Sequence, residues 1–399
     1  MSKKILTLWA LVASGLLQAQ SKTDTTVLDP VTVTANKMAQ RASTTGKVIT
    51  IIDKATLEKN QGRSVAALLN ETAGITLNGA LNNAGTNQTV FMRGAASGRT
   101  LVLIDGIPVN DASQIGNEFD LNFLSVNDVE RIEICRGAQS SIYGSDAVAG
   151  VINLITEKQE PNKKIGGKAS LTAGNYGTYR QQAQLYGKVG KLQYSLRHAG
   201  LQSDGFSTAT DTLGNRHYDK DKFRGISQAA RLQFALTSAL TLKAYVMRNT
   251  YQAGLDERIF TDDKQLNLDH QLLNTGGGFQ YKHSRFQLTG NYQFSQTFNR
   301  DSADKTAFSY FVRNSFFSKG QFAELYANVP LTKTLKLLAG YEYRYNSMNS
   351  RYFAVSSFGP FTTQFRDTSV WSFYHAISGH IGASKFWLCP LAMANPKRI

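Results

Sequence analysis

The chain has little cysteine, little proline and no long apolar run beyond its first residues. Its 399 residues include two cysteines and seven prolines, and the mean hydropathy is -0.28. Two cysteines cannot form the disulfide framework that holds many small exported domains together. Without an apolar run of roughly 20 residues, no transmembrane helix is expected in the mature chain. A membrane-spanning role would therefore need a β-barrel, the other fold that satisfies every backbone polar group in lipid.

The sequence also lacks the motifs of common enzymes. The segment from Gly144 to Gly150 has no Lys-Ser/Thr of a phosphate-binding loop, and Gly-x-Ser-x-Gly and His-Glu-x-x-His do not occur. The net charge is +15, but no run of basic residues exceeds two, which argues against a nucleic-acid partner. We therefore expect no catalytic residue, no required cofactor and no nucleic-acid binding.

The N-terminus has the order of a secretory signal. Lys3 and Lys4 precede an apolar run from Ile5 to Leu17, and cleavage is plausible after Ala19. We predict a signal peptide over residues 1–19. The alternative is a buried amphipathic helix, but the run lacks a 3.6-residue period.

A polar leader is predicted over residues 20–44, and it contains one short strand-forming segment. Its β-branched residues favour an extended strand, which could add to the sheet edge of another protein. The segment consists of Asp29, Pro30, Val31, Thr32, Val33, Thr34 and Ala35. Any first strand of a domain would have a similar pattern.

Residues 45–160 are predicted to form a compact α+β domain. Val48 to Ile52 has the pattern of a strand, and Ser64 is placed to cap a short helix that continues to Leu69. The apolar strand from Leu101 to Ile104 ends in a turn at Asp105-Gly106. Cys135 is expected to be a small buried core residue.

Residues 161–378 are predicted to form long antiparallel strands. Phe286, Leu288, Gly290, Tyr292 and Phe294 alternate with Gln287, Thr289, Asn291 and Gln293. Apolar residues facing lipid and polar residues facing a lumen are typical of a membrane barrel. Short connections alternate with long ones. We expect the long connections over residues 200–225, 249–273, 299–318 and 346–367. A soluble β-sandwich, the alternative, has no reason for that alternation.

Several motifs between residues 90 and 156 resemble the plug domain of TonB-dependent receptors. They are Phe91-Met92-Arg93-Gly94, Val102 to Asn110, Val129 to Gly137 and Ser141 to Thr156. The resemblance implies a plug inside a transmembrane antiparallel β-barrel, which has 22 strands in the family. It also implies a monomeric barrel in the outer membrane, surrounded by lipid. The motif spacing follows the cobalamin-receptor branch.

The resemblance implies a partner and a latch. The segment Asp29 to Ala35 matches the TonB box, which is handed to the energy-transducing protein TonB. Arg93 and Arg136 match plug arginines that pair with barrel glutamates and hold the plug to the wall. Ordinary surface arginines are the alternative.

Ligand contacts are expected from two loops at the plug apex. They consist of Asn78, Gly79, Ala80, Leu81, Asn82 and Asn83, and of Asn110, Asp111, Ala112, Ser113 and Gln114. These residues offer amide and backbone hydrogen bonds with little charge, which suits a neutral polar ligand. The resemblance therefore points to cobalamin or another corrinoid, with a siderophore as the alternative.

Acidic residues in the long loops could bind calcium, which prefers six to eight oxygen ligands. The candidates are Asp204, Asp211, Asp219 and Asp221, with Asp256, Asp262 and Asp263 in the next loop. Cobalamin receptors are known for calcium in such loops. Solvated acids without a bound ion are the alternative.

The sequence after Pro161 departs from the family because it supplies only about ten strands of about ten residues each. Residues 379–399 also lose the alternation, which suggests a truncated or frameshifted product. A small passive outer-membrane barrel, a binding or adhesion protein, and a non-functional truncated remnant are therefore kept as alternatives to a receptor.

Overall fold

The computed structural model describes residues 32–33, 37, 40–41, 47–114, 116–126, 129–156, 163–212, 214, 218–256, 260, 262, 266–304, 311–332, 336–356, 358–372, 377–381 and 384–388. The predicted signal peptide lies outside these residues, as do Asp29, Pro30, Val31, Thr34 and Ala35 of the predicted TonB box. None of the helices in the described part of the chain is long and apolar enough to span a bilayer.

The first part of the chain forms a small α+β domain, called the plug below. The leader before it contains β1 (Thr32–Val33) and β2 (Gln40–Arg41). The strands of the plug are β3 (Val48–Ile52), β4 (Ile75–Asn78), β5 (Thr89–Met92), β6 (Thr100–Ile104), β7 (Ile107–Pro108), β8 (Val129–Arg136) and β9 (Gly150–Thr156). Its helices are α1 (Lys54–Lys59), α2 (Val65–Asn70) and α3 (Ser140–Tyr143), with 3-10 turns at Leu121–Phe123 and Ser145–Ala147.

The central sheet of the plug has the strand order β3-β8-β9-β6-β7. β6 and β9 run parallel, whereas the other neighbours are antiparallel. β9 is buried along most of its length, because the sheet is covered on both faces. The separate pairs β1-β2 and β4-β5 are antiparallel ladders.

The local structure of the plug follows the sequence signals closely. The hydroxyl of Ser64 accepts a hydrogen bond of 3.1 Å from the Ala67 amide at the start of α2, which confirms the predicted cap. Asp53 caps α1 in the same way, by accepting from the Thr56 amide at 2.9 Å. Cys135 is fully buried, as expected.

The rest of the chain forms a ten-stranded antiparallel sheet, called the wall below. Its strands, in spatial and chain order, are β10 (Gly166–Gly174), β11 (Thr178–Val189), β12 (Leu192–Ser203), β13 (Phe223–Ala235), β14 (Leu240–Gly254), β15 (Asn267–Lys282), β16 (Gln287–Asp304), β17 (Phe311–Pro330), β18 (Lys336–Ser356) and β19 (Gly359–Ser372). β20 (Ile377–Ile381) and β21 (Ser384–Leu388) pair only with each other among the described strands.

The two faces of the wall differ in polarity, as the alternation predicts. On β16, Thr289, Asn291 and Gln293 are buried on the face toward the plug, whereas Tyr292 is 47% exposed on the other face. Leu232 and Leu325 are also exposed on that outer face. The wall therefore has a polar inner face and an apolar outer face.

The prediction of a long connection is wrong at two of the four expected positions. β16 and β17 extend to Asp304 and from Phe311, and β18 and β19 are separated by only two residues after Ser356. These strands continue as paired hairpins far beyond the roughly 9–11 residues that cross a bilayer. Because the ends of the strands carry many polar residues, the sequence pattern there resembled that of a loop. The long connections Ser203–Phe223 and Gly254–Asn267 are observed. We call their end of the wall the loop side and the opposite end the turn side.

The plug packs against the inner face of the wall with a shared apolar core. The ring of Phe123 lies 5.3 Å from that of Tyr251, which also stacks on Phe223 at 5.4 Å. The Tyr251 hydroxyl donates a 2.5 Å hydrogen bond to Asp120 of the plug. Apolar packing and hydrogen bonds together fix the plug against the wall.

Candidate functional site

The first predicted apex segment begins at the last residue of β4, on the loop side of the plug. Asn78, Leu81 and Asn82 are exposed, and Leu81 is 78% exposed. Gly79 has a φ of +78°, and a Cβ there would lie 2.4 Å from the carbonyl oxygen of Asn87, so the turn requires glycine. The exposed surface of this segment is therefore neutral.

Two other residues of this segment are buried. Ala80 lies in the plug core, and the Asn83 side chain donates to the carbonyl of Phe206 and accepts from its amide. Phe206 belongs to the long connection after β12. Asn83 thus joins the plug apex to an outer loop of the wall.

The second apex segment is fixed to the wall by Asp111. Its carboxylate accepts hydrogen bonds from the Ser318 hydroxyl at 2.9 Å and the Asn299 amide at 3.1 Å. It also accepts from the amide and hydroxyl of Ser113. Asn110, Ala112, Ser113 and Gln114 are partly exposed, so this segment offers less free surface than the first.

The structure brings together only some of the predicted calcium ligands. Asp219, Asp221 and Asp256 each offer a carboxylate oxygen within 4.8 Å of the others. Asp211 caps its own turn by accepting from the Gly214 amide, and Asp204 lies outside this cluster. Asp262 accepts from the Asp219 amide at 3.1 Å, while Asp263 is outside the described residues.

The carboxyl groups of this acidic cluster repel one another. Partial burial, followed by the neighbouring carboxylate of Asp262, raises the pKa of Asp219 to about 6. Asp221 accepts hydrogen bonds from the amide and hydroxyl of Thr208, both at 2.7 Å. A cation would relieve the repulsion between these acids.

The leader is fixed to the wall at Lys37, which sequence reasoning did not foresee. Its ammonium lies 2.8 Å from Glu324 Oε2 and 3.1 Å from Glu342 Oε2, and it faces the rings of Tyr143 and Tyr326. Burial lowers the pKa of Lys37, but the two carboxylates together raise it above its usual value. The lysine therefore stays charged in this buried position.

Lys37 lies two residues after the end of the strand-forming segment of the leader. Of that segment the structure describes Thr32 and Val33, which pair with Arg41 and Gln40. Asn328 of the wall donates to the Lys37 carbonyl at 3.3 Å. The leader is thus held next to the wall two residues beyond the predicted TonB box.

The structure does not place the two predicted latch arginines at wall glutamates. Arg136 pairs with Val48 across β3 and β8, so its guanidinium donates to Thr50 Oγ1 at 2.5 Å and to the Ala73 carbonyl at 2.7 Å, both inside the plug. Arg93 is exposed, has a φ of +52°, and forms no ion pair among the described residues.

Other charged pairs join plug and wall. Arg344 of the wall donates to Asp146 at 3.2 Å and to the Tyr143 carbonyl at 3.0 Å, and Arg231 of the wall pairs with Asp105.

A sequence signal existed for the Lys37 site, because Glu324 is the only acid in β17 and Glu342 the only acid in β18. Lone acids on long strands that are otherwise free of them indicate a buried partner.

Comparison with known proteins agrees with this architecture. Residues 41–151 match the family model described as TonB-dependent Receptor Plug Domain. The chain is 31% identical over 277 residues to a vitamin B12 transporter, BtuB, of Vibrio cholerae serotype O1, covering 67% of this chain and 43% of that protein. It is 28% identical over 284 residues to the vitamin B12 transporter BtuB of Vibrio vulnificus, covering 69% and 44%.

Solved structures show the same fold at low sequence identity. The ferric yersiniabactin uptake receptor FyuA from Yersinia pestis has a TM-score of 0.68 at 16% identity, covering 85% of this chain and 54% of that one. The ferric citrate transporter FecA has a TM-score of 0.68 at 15% identity, covering 88% and 56%. The chain thus spans less than half the length of the vitamin B12 transporters that it matches.

Proposed function

Because the chain belongs to the TonB-dependent outer-membrane receptors, we propose that it serves in the import of a corrinoid such as cobalamin. Receptors of this family transport solutes and are not enzymes. The observation that carries the proposal is the 31% identity over 277 residues to a vitamin B12 transporter. The likeness to ferric-complex receptors is below 25% identity and concerns the fold.

The plug apex supports a neutral polar ligand. Asn78, Leu81 and Asn82 are exposed and carry no charge, so they offer amide hydrogen bonds and one apolar contact. A corrinoid has amide side chains that match such groups, whereas an anionic ferric complex would be better served by arginine or lysine. A siderophore is therefore the second candidate for the ligand.

We propose that TonB takes up the leader at Asp29 to Ala35. An outer membrane holds no nucleotide, so work must arrive through a segment that another protein pulls. The site at Lys37 would then resist the pull until the leader is released. Val31→Pro should weaken capture of the leader by TonB, because proline removes a backbone donor from an added strand. A passive barrel or an adhesion protein would be unaffected.

The apolar outer face of the wall supports a place in the outer membrane. Exposed leucines and aromatic residues on that face would contact lipid, and the polar inner face would contact the plug. We propose a monomeric arrangement, since each plug is served by the wall of its own chain. Sedimentation of the chain with outer-membrane vesicles tests this placement.

Calcium at the acidic cluster is part of the proposal. Asp219, Asp221 and Asp256 supply three carboxylates on two adjacent loops, and hard cations prefer such oxygens. A bound ion would fix those loops relative to the plug apex, because Asn83 already bonds to Phe206 in the first loop. Solvated acids would bind calcium only weakly.

Binding of radiolabelled cyanocobalamin to the full chain in vesicles tests the ligand site. Asn82→Asp should lower the affinity about tenfold, because it places an unpaired charge where an amide is needed. The matched control is Asn60→Asp, the same change at the end of α1. An equal effect of both substitutions, or no saturable binding, would contradict the apex site.

A further inference from the structure

A cavity of about 420 Å³, lined by both polar and apolar residues, lies between the plug and the turn side of the wall. Asp105 and Thr156 line it from the plug, and Arg231, Lys243 and Asn274 line it from β13, β14 and β15. We call it the inner chamber. It shares no residue with the apex segments, so it is separate from the ligand site proposed above.

The ammonium of Lys243 is placed by the register of the wall. Cross-strand pairing puts one residue of each strand at the same height, and these residues form a polar row along the inner face. The row is Gln193, Gln233, Lys243, Gly278, Asn291 and Glu324. A Cβ on Gly278 would lie 3.0 Å from Lys243 Cε. Because glycine has no side chain, the lysine has room to lie across β15 at this position.

One positive group of the inner chamber is not directly paired with any residue that the structure describes. Arg231 is paired with Asp105, whose carboxylate also accepts from the amide and hydroxyl of Thr156. Lys243 forms neither an ion pair nor a hydrogen bond with any residue that the structure describes. Glu324 is already engaged by Lys37 and by the Asn291 amide. The carboxylates of Glu324 and Asp105 therefore attract the Lys243 ammonium from a distance without pairing with it.

An amide on the chamber wall also lacks a partner. Asn274 is 1% exposed, and neither atom of its side-chain amide has a hydrogen bond among the described residues. A buried amide without a partner costs about 1–3 kcal/mol, so a ligand or ordered water that satisfies it is favoured. The register pairs Asn274 with Met247 and Gly278 with Lys243, so the amide lies four residues along β15 from the position of the lysine.

We propose that the inner chamber binds a small anionic oxygen group, such as a phosphate or a carboxylate. Lys243 supplies the charge, and Asn274 supplies a hydrogen-bond donor further along β15 in the same chamber. The volume lies at the lower end of the range of about 300–1,000 Å³ for small-molecule pockets. The chamber accordingly takes a small anion, or one anionic group of a larger solute, between the apex and the turn side.

Equilibrium dialysis of the purified full chain against radiolabelled inorganic phosphate, at neutral pH and low salt, tests this site. We expect saturable binding to one site. Lys243→Met should weaken it about tenfold or more, and Lys243→Arg should retain it within about threefold, because a charged hydrogen bond is lost in the first and kept in the second. Competition with acetate shows whether a carboxylate occupies the same site.

The matched control is Lys282→Met, which removes the same charge from an exposed position at the end of β15. It should leave phosphate binding unchanged. Equal weakening by Lys282→Met would assign the effect to net charge and overturn the proposal, as would the absence of saturable binding in the unaltered chain. Near-ultraviolet circular dichroism of each variant shows whether the plug remains packed. Phosphate binding by the Lys243→Arg variant shows, as a second check, that the chamber tolerates a substitution that keeps the charge.

Discussion

The Lys37 ammonium lies 2.8 Å from Oε2 of Glu324, and the two side chains are only 6% and 3% exposed. A charged pair at this depth is retained only when each partner is satisfied, because an unpaired buried charge is costly. The pair joins the leader to the wall, so withdrawal of the leader would leave Glu324 and Glu342 without their cation.

Lys37→Met should therefore loosen the leader and destabilise the chain by about 3–5 kcal/mol. Hydrogen exchange of the amides in β1 and β2 should become faster, and the free energy of unfolding should fall. Adding Glu324→Gln to Lys37→Met should recover part of the loss, since the stranded carboxylate is removed. Additive effects of the two substitutions would contradict the pairing.

Asp105 predicts a pH-dependent contribution to stability. Burial raises the pKa of this carboxyl, but Arg231 and the Thr156 hydrogen bonds outweigh burial and lower it below its usual value. A carboxyl with a lowered pKa in the folded state stabilises the fold above its unfolded pKa, and this contribution is lost as the pH falls through the folded value. Asp105→Ala should thus cost about 2–3 kcal/mol at pH 7 and less at pH 3, measured by denaturant unfolding. Equal costs at both pH values would exclude this explanation.

Calcium binding at the acidic cluster should depend on pH. Because the pKa of Asp219 is raised to about 6, the carboxyl takes up a proton below that pH and stops being a good ligand. Isothermal titration should show a lower calcium affinity at pH 5 than at pH 7.5. Asp221→Asn should weaken binding, whereas Asp211→Asn, outside the cluster, should not. If both substitutions act alike, the ion is not held by this cluster.

Gly79→Ala should destabilise the chain more than an alanine substitution at another glycine with a positive φ. Both Gly79 (φ +78°) and Gly94 (φ +73°) adopt the left-handed region, but a Cβ on Gly94 meets nothing within 4 Å, whereas one on Gly79 lies 2.4 Å from the Asn87 carbonyl oxygen. Gly94→Ala should cost about 1 kcal/mol, and Gly79→Ala should cost at least about 1 kcal/mol more, because the backbone must move. Thermal unfolding measures the loss of stability in each variant, and the loss should be clearly larger for Gly79→Ala.

The plug could be predicted in detail because its signals are local. The strand Val48–Ile52, the Ser64 cap and the Asp105-Gly106 turn each depend on a few neighbouring residues, and the motifs between residues 90 and 156 resemble a known family. The ten strands and the polarity of the two faces of the wall follow from alternation, which is also local.

The contacts between distant segments could not be predicted in the same way. Lys37 and Glu324 are separated by most of the chain, and no periodicity links them. Arg136 has the sequence context of a latch, yet β3–β8 pairing directs its guanidinium to Thr50 inside the plug. Of the predicted calcium ligands, Asp219 and Asp221 meet Asp256 only because the connections after β12 and β14 approach each other.

Competition binding tests most directly the proposal that the plug apex binds a corrinoid. Vesicles that contain the chain are incubated with radiolabelled cyanocobalamin, and either unlabelled cyanocobalamin or a ferric siderophore is added in excess. We expect saturable binding that unlabelled cyanocobalamin displaces and the ferric siderophore does not. Displacement by the ferric siderophore, or saturable binding of that complex alone, would contradict it.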